Sequence, residues 1–308
     1  MTGTSFVDLG GGDRGATARD YWQLLKPRVM SLVVFTGLVG LWLAPGSITP
    51  FNAFMAILAL AINAGAAGAL NMWVERESDK LMKRTAARPL PTGRVHPDNA
   101  LAFALVLSAG STALMGLVTN WLAAALLVLA SFYYVVIYTI WLKTRTPQNI
   151  VIGGAAGAFP PVIGWAAVTA TAPLDAWVLF TIIFLWTPPH FWALALAVDT
   201  DYAAARIPML PNVAGQRATQ NQILIYTLLL FPICVVPFWL GTAGWLYLTG
   251  SFILNGVFLA GAFYLWRGKH VDTKLAMRVF GYSVLYLFVL FALLAIDAQH
   301  PVSWRWMV

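Results

Sequence analysis

The sequence predicts an all-α fold, a polytopic membrane protein with nine transmembrane helices. Three observations predict it. Of 308 residues, 60% are hydrophobic and only 10% charged, whereas a soluble domain carries roughly 25% charged residues. Apolar runs of about 20 residues, the length that crosses a bilayer as a helix, recur along the chain. Lys and Arg fall almost wholly in alternate connections between those runs, the pattern the positive-inside rule gives a multi-pass protein.

The elements follow in order. Residues 1–20 form a polar N-terminal tail, and no apolar core precedes Trp22, so the start of the chain does not read as a cleavable signal peptide. Residues 21–298 hold the nine helices, at about 28–45, 52–74, 99–118, 121–141, 150–169, 174–198, 219–240, 243–266 and 275–297. Residues 299–308 are a short C-terminal tail.

Of the 19 Lys and Arg residues, 18 fall on one side of this arrangement. Arg14, Arg19, Lys26 and Arg28 precede the first span, and Arg76, Lys80, Lys83, Arg84, Arg88 and Arg94 follow the second. Lys143 and Arg145 follow the fourth, Arg206 and Arg217 the sixth, and Arg267, Lys269, Lys274 and Arg278 the eighth. Only Arg305 lies opposite. The rule therefore predicts a cytoplasmic N-terminus and a C-terminus outside. Topology accounts for the net charge of +7, so nucleic acid is not an expected partner. The single cysteine, Cys234, excludes an internal disulfide and reads as packing.

Of the 12 acidic residues all but Asp175 and Asp297 share the basic side, although the positive-inside rule does not ask this of them. The stretch NMWVERESDKLMKRTAARPLPTGR, residues 71–94, holds Asn71, Glu75 and Asp79 at steps of four. On a helix such residues share one face, so an amide and two carboxylates line a ridge at the end of the second span. Oxygen donors so placed suit Mg²⁺ bridging to a phosphate, and Arg76, Lys80, Lys83, Arg84 and Arg88 could hold phosphate oxygens. The same spacing equally describes a solvated helix end with ordinary charge pairs.

The sixth span ends LWTPPHFWALALAVDTDYAAARIPMLPNVAG, placing Asp199 and Asp201 as further metal-ligand candidates. Pro188 and Pro189 predict an internal break in that helix. His190, an ionisable residue within a membrane span, reads either as a functional group, facing a large aromatic ligand or ligating iron, or as a hydrogen-bonded core histidine. Tyr138, Lys143, Arg145, Gln148 and Asn149 cluster between the fourth and fifth spans, and Gly153, Gly154 and Gly157 would let helices pack closely. A transporter would place its polar groups near the bilayer midplane, whereas here they gather at one end.

The stretches NMWVERESDKLMKRTAARPLPTGRV, YTIWLKTRTPQNIVIGGAAGAFPPVIGW and WTPPHFWALALAVDTDYAAARIPMLPNVAG together resemble the UbiA superfamily of intramembrane prenyltransferases. The likeness runs from about Tyr21 to the last span and is closest to members whose acceptor is haem. It implies a UbiA-type nine-helix bundle in the bacterial inner membrane. It also implies a reaction: farnesyl diphosphate alkylates a vinyl group of haem b, water adds a hydroxyl, and haem O results for terminal oxidases. Mg²⁺ is the implied cofactor. The resemblance assigns Asn71, Glu75, Asp79 and Asp201 to the catalytic motifs, with Glu75, Asp79, Asp199 and Asp201 as metal ligands. Lys83, Arg84, Arg88, Lys143 and Arg145 would bind diphosphate, and His190 would contact haem. Haem A synthase or oxidase assembly factors are the protein partners such a role implies. Prenylation of an aromatic quinone precursor is the alternative on the same scaffold. The chain departs from the family pattern at Glu75, usually Asp, at Arg206, usually Gly, and at Asp199, usually basic or neutral.

Overall fold

The computed structural model describes residues 15–198, 203, 205, 207–268, 270–299 and 303–304. A short helix α1, Ala18–Leu24, opens it, capped by Thr17, whose side chain pairs reciprocally with Asp20. Then come α2, Pro27–Leu43, and α3, Pro50–Asp79. Next are α4, Pro97–Val118, and α5, Trp121–Phe132, which continues as a π-helix over Tyr133–Leu142. The fifth span is built from α6, Asn149–Gly153, α7, Ala155–Ala158, and α8, Pro160–Thr169. Then follow α9, Leu174–Ala197, α10, Leu210–Ile233, with α11, Val236–Trp239, α12, Trp245–Arg267, and α13, Thr273–Ile296.

Eight spans among the described residues are at least 18 residues long and apolar enough to cross a membrane. The ninth expected span is α2, at 17 residues slightly shorter. The chain is therefore a polytopic membrane protein. Local chemistry sets the helix starts. Thr49 caps α3 ahead of Pro50, and Asn120 and Asp272 accept from the first amides of α5 and α13. Connections of a few residues on one side turn each helix back beside its predecessor. The longer, charged connections collect at the other end.

Two details differ from expectation. Pro188 and Pro189 do not break α9, which runs through them to Ala197. Their missing N–H groups release two carbonyls of the preceding turn, yet the helix continues past them, with both prolines buried in the bundle, where such a break is tolerated. In α10 the interruption lies elsewhere, at Gly215 with φ 84°, so the regular helix starts beyond it, near the expected 219. A two-residue parallel pairing of β1, Ser47–Ile48, with β2, Ser303–Trp304, ties the C-terminal segment to the connection between α2 and α3.

Inside the bundle α2 packs on α8, α3 on α4, and α9 on α10 and α13. Helices α2 and α8 touch backbone to backbone. A Cβ on Gly40 would stand 2.1 Å from the Pro161 carbonyl oxygen, and one on Gly164 would stand 2.0 Å from that of Gly37. Gly164→Ala is expected to force these helices apart, costing about 1–3 kcal/mol or more as overpacking. A fall in thermal stability of the detergent-purified protein would register it; an unchanged melting temperature would count against the close contact. Interhelical side-chain bonds add to the packing. Asn63 Nδ2 donates to Ser111 Oγ at 3.1 Å, Ser131 donates to Asn63, and Tyr286 donates to Asn255 Oδ1 at 3.0 Å. Each is worth about 0.6–2 kcal/mol in a bilayer. Cys234 is buried in this core, its Sγ 3.3 Å from the Tyr286 hydroxyl.

Candidate active site

A cavity of about 950 Å³ opens inside the bundle, lined by parts of α2, α3, the π-helix, the fifth span, α9 and α13. Its charged end is built on the last two turns of α3. Asn71, Glu75 and Asp79 are all buried there and all line the cavity. The opposite face of the same segment carries exposed Glu77 and Lys80, paired at 2.8 Å, and Arg76, stacked over Trp73 at 5.0 Å. The two readings of this stretch thus each describe one face of a single helix.

Each buried acid has a cation. Asp79 Oδ2 accepts from Arg88 at 2.7 Å, and Glu75 Oε1 accepts from Lys143 Nζ. Lys143 also lies 5.9 Å from the centre of the Tyr138 ring. Thr85 Oγ1 donates to the Asp79 carbonyl at 2.8 Å, which folds the 80–96 connection back over the helix end. Arg94 reaches across to Asp20 at 2.7 Å and to the Ala87 carbonyl at 2.8 Å, so it braces that connection against α1.

Lys26 is the site residue that charge counting assigned to topology. It precedes α2 in the left-handed region, φ 52° and ψ 56°, and its side chain lines the cavity. Its Nζ donates to Asn71 Oδ1 at 2.5 Å, while Asn71 Nδ2 donates to Thr139 Oγ1 at 3.1 Å, so the amide is fixed from both ends. Desolvation by the surrounding protein pushes the Lys26 pKa down to about 7; Arg88 and Lys143 push the same way, and Glu75 and Asp79 oppose them. Among the described residues Lys26 has no carboxylate partner, unlike Arg88 and Lys143. The local sequence carries no signal for this, because the placement depends on a backbone twist ahead of Pro27.

The π-helix was equally invisible to an apolar-run reading. Its wider turn aligns residues five apart: the Lys143 amide donates to the Tyr138 carbonyl at 2.9 Å, and Thr139 Oγ1 donates to the Tyr134 carbonyl at 2.8 Å. Tyr134, Tyr138 and Lys143 all reach the cavity wall. Gly153 lets Tyr138 lie against α6, where a Cβ would come within 2.2 Å of the ring, and Gly154 does the same for Thr187 at 2.9 Å. Gly157 has nothing near it and opens the cavity rather than packing a helix.

The other wall is aromatic. His190 stacks between Trp186, with ring centres 4.3 Å apart, and Phe280, at 4.7 Å, with Phe191 edge-on at 5.2 Å. Val284, Leu285 and Phe288 of α13 line the cavity and are exposed, which gives it an open, apolar stretch of wall.

Of the predicted residues, Asn71, Glu75, Asp79, Arg84, Arg88, Lys143 and His190 share this one cavity. Lys83 and Arg145 are exposed and are not among its lining residues. Asp199 and Asp201, like Arg206, lie outside the described residues. Among the described residues no three His, Cys, Asp or Glu side chains gather to hold a metal alone. The fit to Mg²⁺ rests on a different observation. Asp79 Oδ1 is buried with no hydrogen-bond partner among the described residues, and Mg²⁺ commonly takes one or two carboxylates plus the oxygens of a phosphate substrate. The donor set therefore suits Mg²⁺ delivered with a diphosphate.

A bundle of apolar helices holding a chamber with carboxylates and cations at one end and apolar walls beyond is the layout of a membrane enzyme for a charged, greasy substrate. A model of the UbiA prenyltransferase family matches residues 33–291, and the chain belongs to that family. Relatives named protoheme IX farnesyltransferase are 54% identical in Parvibaculum lavamentivorans, over 91% of this chain and 89% of the relative. In Brucella suis the figure is 56%, over 92% and 90%. The fold is also that of a digeranylgeranylglyceryl phosphate synthase, with TM-score 0.75 and 16% identity over 91% of this chain and 97% of that one. A UbiA homologue from Archaeoglobus fulgidus, whose structure is bound to DMAPP and Mg²⁺, matches with TM-score 0.63 and 16% identity over 90% and 99%.

Proposed function

We propose that this chain transfers the farnesyl group of farnesyl diphosphate to a vinyl group of haem b, with addition of water, giving haem O and diphosphate. One observation carries the reading: a single chamber joins an ionic end, where Lys26 has no carboxylate partner among the described residues, to a histidine wall of stacked aromatic rings. The names of the relatives at 54% and 56% identity point to protohaem as acceptor and farnesyl as donor.

The residues act in sequence. Lys26, Arg84, Arg88 and Lys143 receive the diphosphate, where fixed cations in a low-dielectric wall are strong. Asp79 and Glu75, with Asn71 beside them, would hold Mg²⁺, which when bound neutralises charge building on the leaving group. Asp199 and Asp201 are proposed to complete the acidic set. As the allylic C–O bond breaks, the electron pair leaves with diphosphate and positive charge spreads over the prenyl carbons. Tyr134 and Tyr138 border that space, and aromatic faces stabilise a cation. The dry wall delays its capture by water. The vinyl group donates its π electrons to the farnesyl carbon; the ring-adjacent carbon then takes hydroxide from water, and one proton is released. No covalent link to the protein is needed.

The haem is proposed to lie against His190. The bilayer in question is proposed to be the bacterial inner membrane, with the charged end cytoplasmic, in keeping with the basic residues gathered there. Haem A synthase and oxidase assembly factors are proposed neighbours in the pathway. The same chamber would admit a quinone precursor. Membranes supplied with farnesyl diphosphate, haem b and a quinone precursor decide between them: farnesylated haem supports the reading, and a prenylated quinone ring with unaltered haem overturns it.

Lys26→Met is expected to raise the KM for farnesyl diphosphate about tenfold or more, the worth of one charge-assisted hydrogen bond. Lys26→Arg should recover part of the loss. Steady-state kinetics in detergent or nanodiscs would show it; an unchanged KM would leave Lys26 a support for Asn71 alone.

A further inference from the structure

His190 has only one edge to offer the chamber. Trp186 and Phe280 cover its two faces, and Nδ1 is 2.6 Å from Ser283 Oγ. The same Ser283 hydroxyl is 2.6 Å from the Phe280 carbonyl oxygen one turn earlier on α13. A serine hydroxyl carries one hydrogen. Were it given to His190, two oxygens would face each other at 2.6 Å with no proton between them. The hydrogen therefore goes to the Phe280 carbonyl, and Ser283 Oγ accepts from Nδ1–H. Nε2 is left unprotonated, with its lone pair on the uncovered edge of a residue that lines the cavity. The backbone of Ser283 fixes the neighbouring ring as well, since Trp186 Nε1 donates to the Ser283 carbonyl at 2.8 Å.

We infer that Ser283 is a positioning residue that sets the tautomer and ring angle of His190, so that Nε2 serves as an axial ligand to the iron of a bound porphyrin. The inference rests on the proposed haem substrate. Metal-ligating histidines characteristically donate their second ring N–H to a fixed acceptor, which fixes the tautomer and the ring orientation, as Ser283 does here. The surroundings favour a ligand over a base for water. The partner of Nδ1 is a neutral hydroxyl, whereas a base that must carry a proton gains most from a carboxylate. Every other neighbour of the ring named above is aromatic.

Ser283→Ala tests this cleanly, because it removes one oxygen and keeps the backbone carbonyl that holds Trp186. Purified full-length protein in nanodiscs would be titrated with ferric haem b, without farnesyl diphosphate, and followed by absorption and electron paramagnetic resonance. The wild type should show a nitrogen-ligated spectrum, and His190→Ala should lose it. Ser283→Ala should bind haem about tenfold more weakly with a diminished nitrogen-ligand signature, and Ser283→Thr should restore both. Farnesyl diphosphate binding, unchanged in each variant, reports the intact fold; should Ser283→Ala lose it, Ser283→Cys carries the same comparison. Ser283→Ala indistinguishable from wild type in affinity and spectrum would overturn the role of Ser283. A spectrum unaltered in His190→Ala would overturn the ligation while leaving haem as substrate. A wild type that takes up no haem would overturn the substrate reading, and this inference with it.

Discussion

Asp79→Ala is expected to lose Mg²⁺-dependent turnover by at least about a hundredfold while the bundle stays folded. The size follows from its two oxygens. Oδ2 is bonded to Arg88 at 2.7 Å and Oδ1 is buried without a partner among the described residues. An unpartnered buried carboxylate oxygen is costly unless something arrives to use it. A preorganised group stabilising charge in the transition state is typically worth a factor of about 10²–10³ in rate. Because removing one member of a buried pair strands the other, Asp79→Asn is the companion variant. It keeps the shape and one acceptor for Arg88 but lacks the charge that Mg²⁺ needs. Both should resist rescue by added Mg²⁺. Turnover near wild type at saturating Mg²⁺ would contradict the ligand role.

His190→Ala is expected to impair haem use by about a hundredfold in kcat/KM, with farnesyl diphosphate affinity held within about twofold. The asymmetry is the point. His190 is stacked between Trp186 and Phe280 on the aromatic wall, whereas the cations come from the connection after α3 (Arg84 and Arg88), the end of the π-helix (Lys143) and the approach to α2 (Lys26). Loss of a second-sphere-supported metal ligand commonly costs affinity on this scale, while a distant diphosphate contact is independent of it. Kinetics with each substrate varied in turn would show the split. Equal losses for both substrates would mean that the ring only supports the packing of α9 against α13.

The fold was legible because a membrane span is written locally, in length and polarity. Asn71, Glu75 and Asp79 were legible because helical period is local too, and the structure buries the three along one ridge of α3. What escaped depends on distance or on unusual backbone. Lys26 reaches Asn71, 45 residues away, from a left-handed turn. Ser283 meets His190 across 93 residues of sequence. The π-helix that presents Tyr134 and Tyr138 is apolar like any span, so hydropathy does not separate it from α-helix. Pro188 and Pro189 misled in the other direction, since a proline pair reads as a break until the surrounding bundle is known. Lys83 and Arg145 have the right charge beside the right helices, but they are exposed and do not line the cavity, and charge alone carries no direction.

The most direct test of the central claim is pigment analysis of membranes from cells that make haem b and farnesyl diphosphate but lack haem O, with and without this chain. Haem O is expected to appear with the wild-type chain and to be absent with Asp79→Asn. Membranes that contain the folded wild-type chain, haem b and farnesyl diphosphate, and yet yield no haem O, would contradict it.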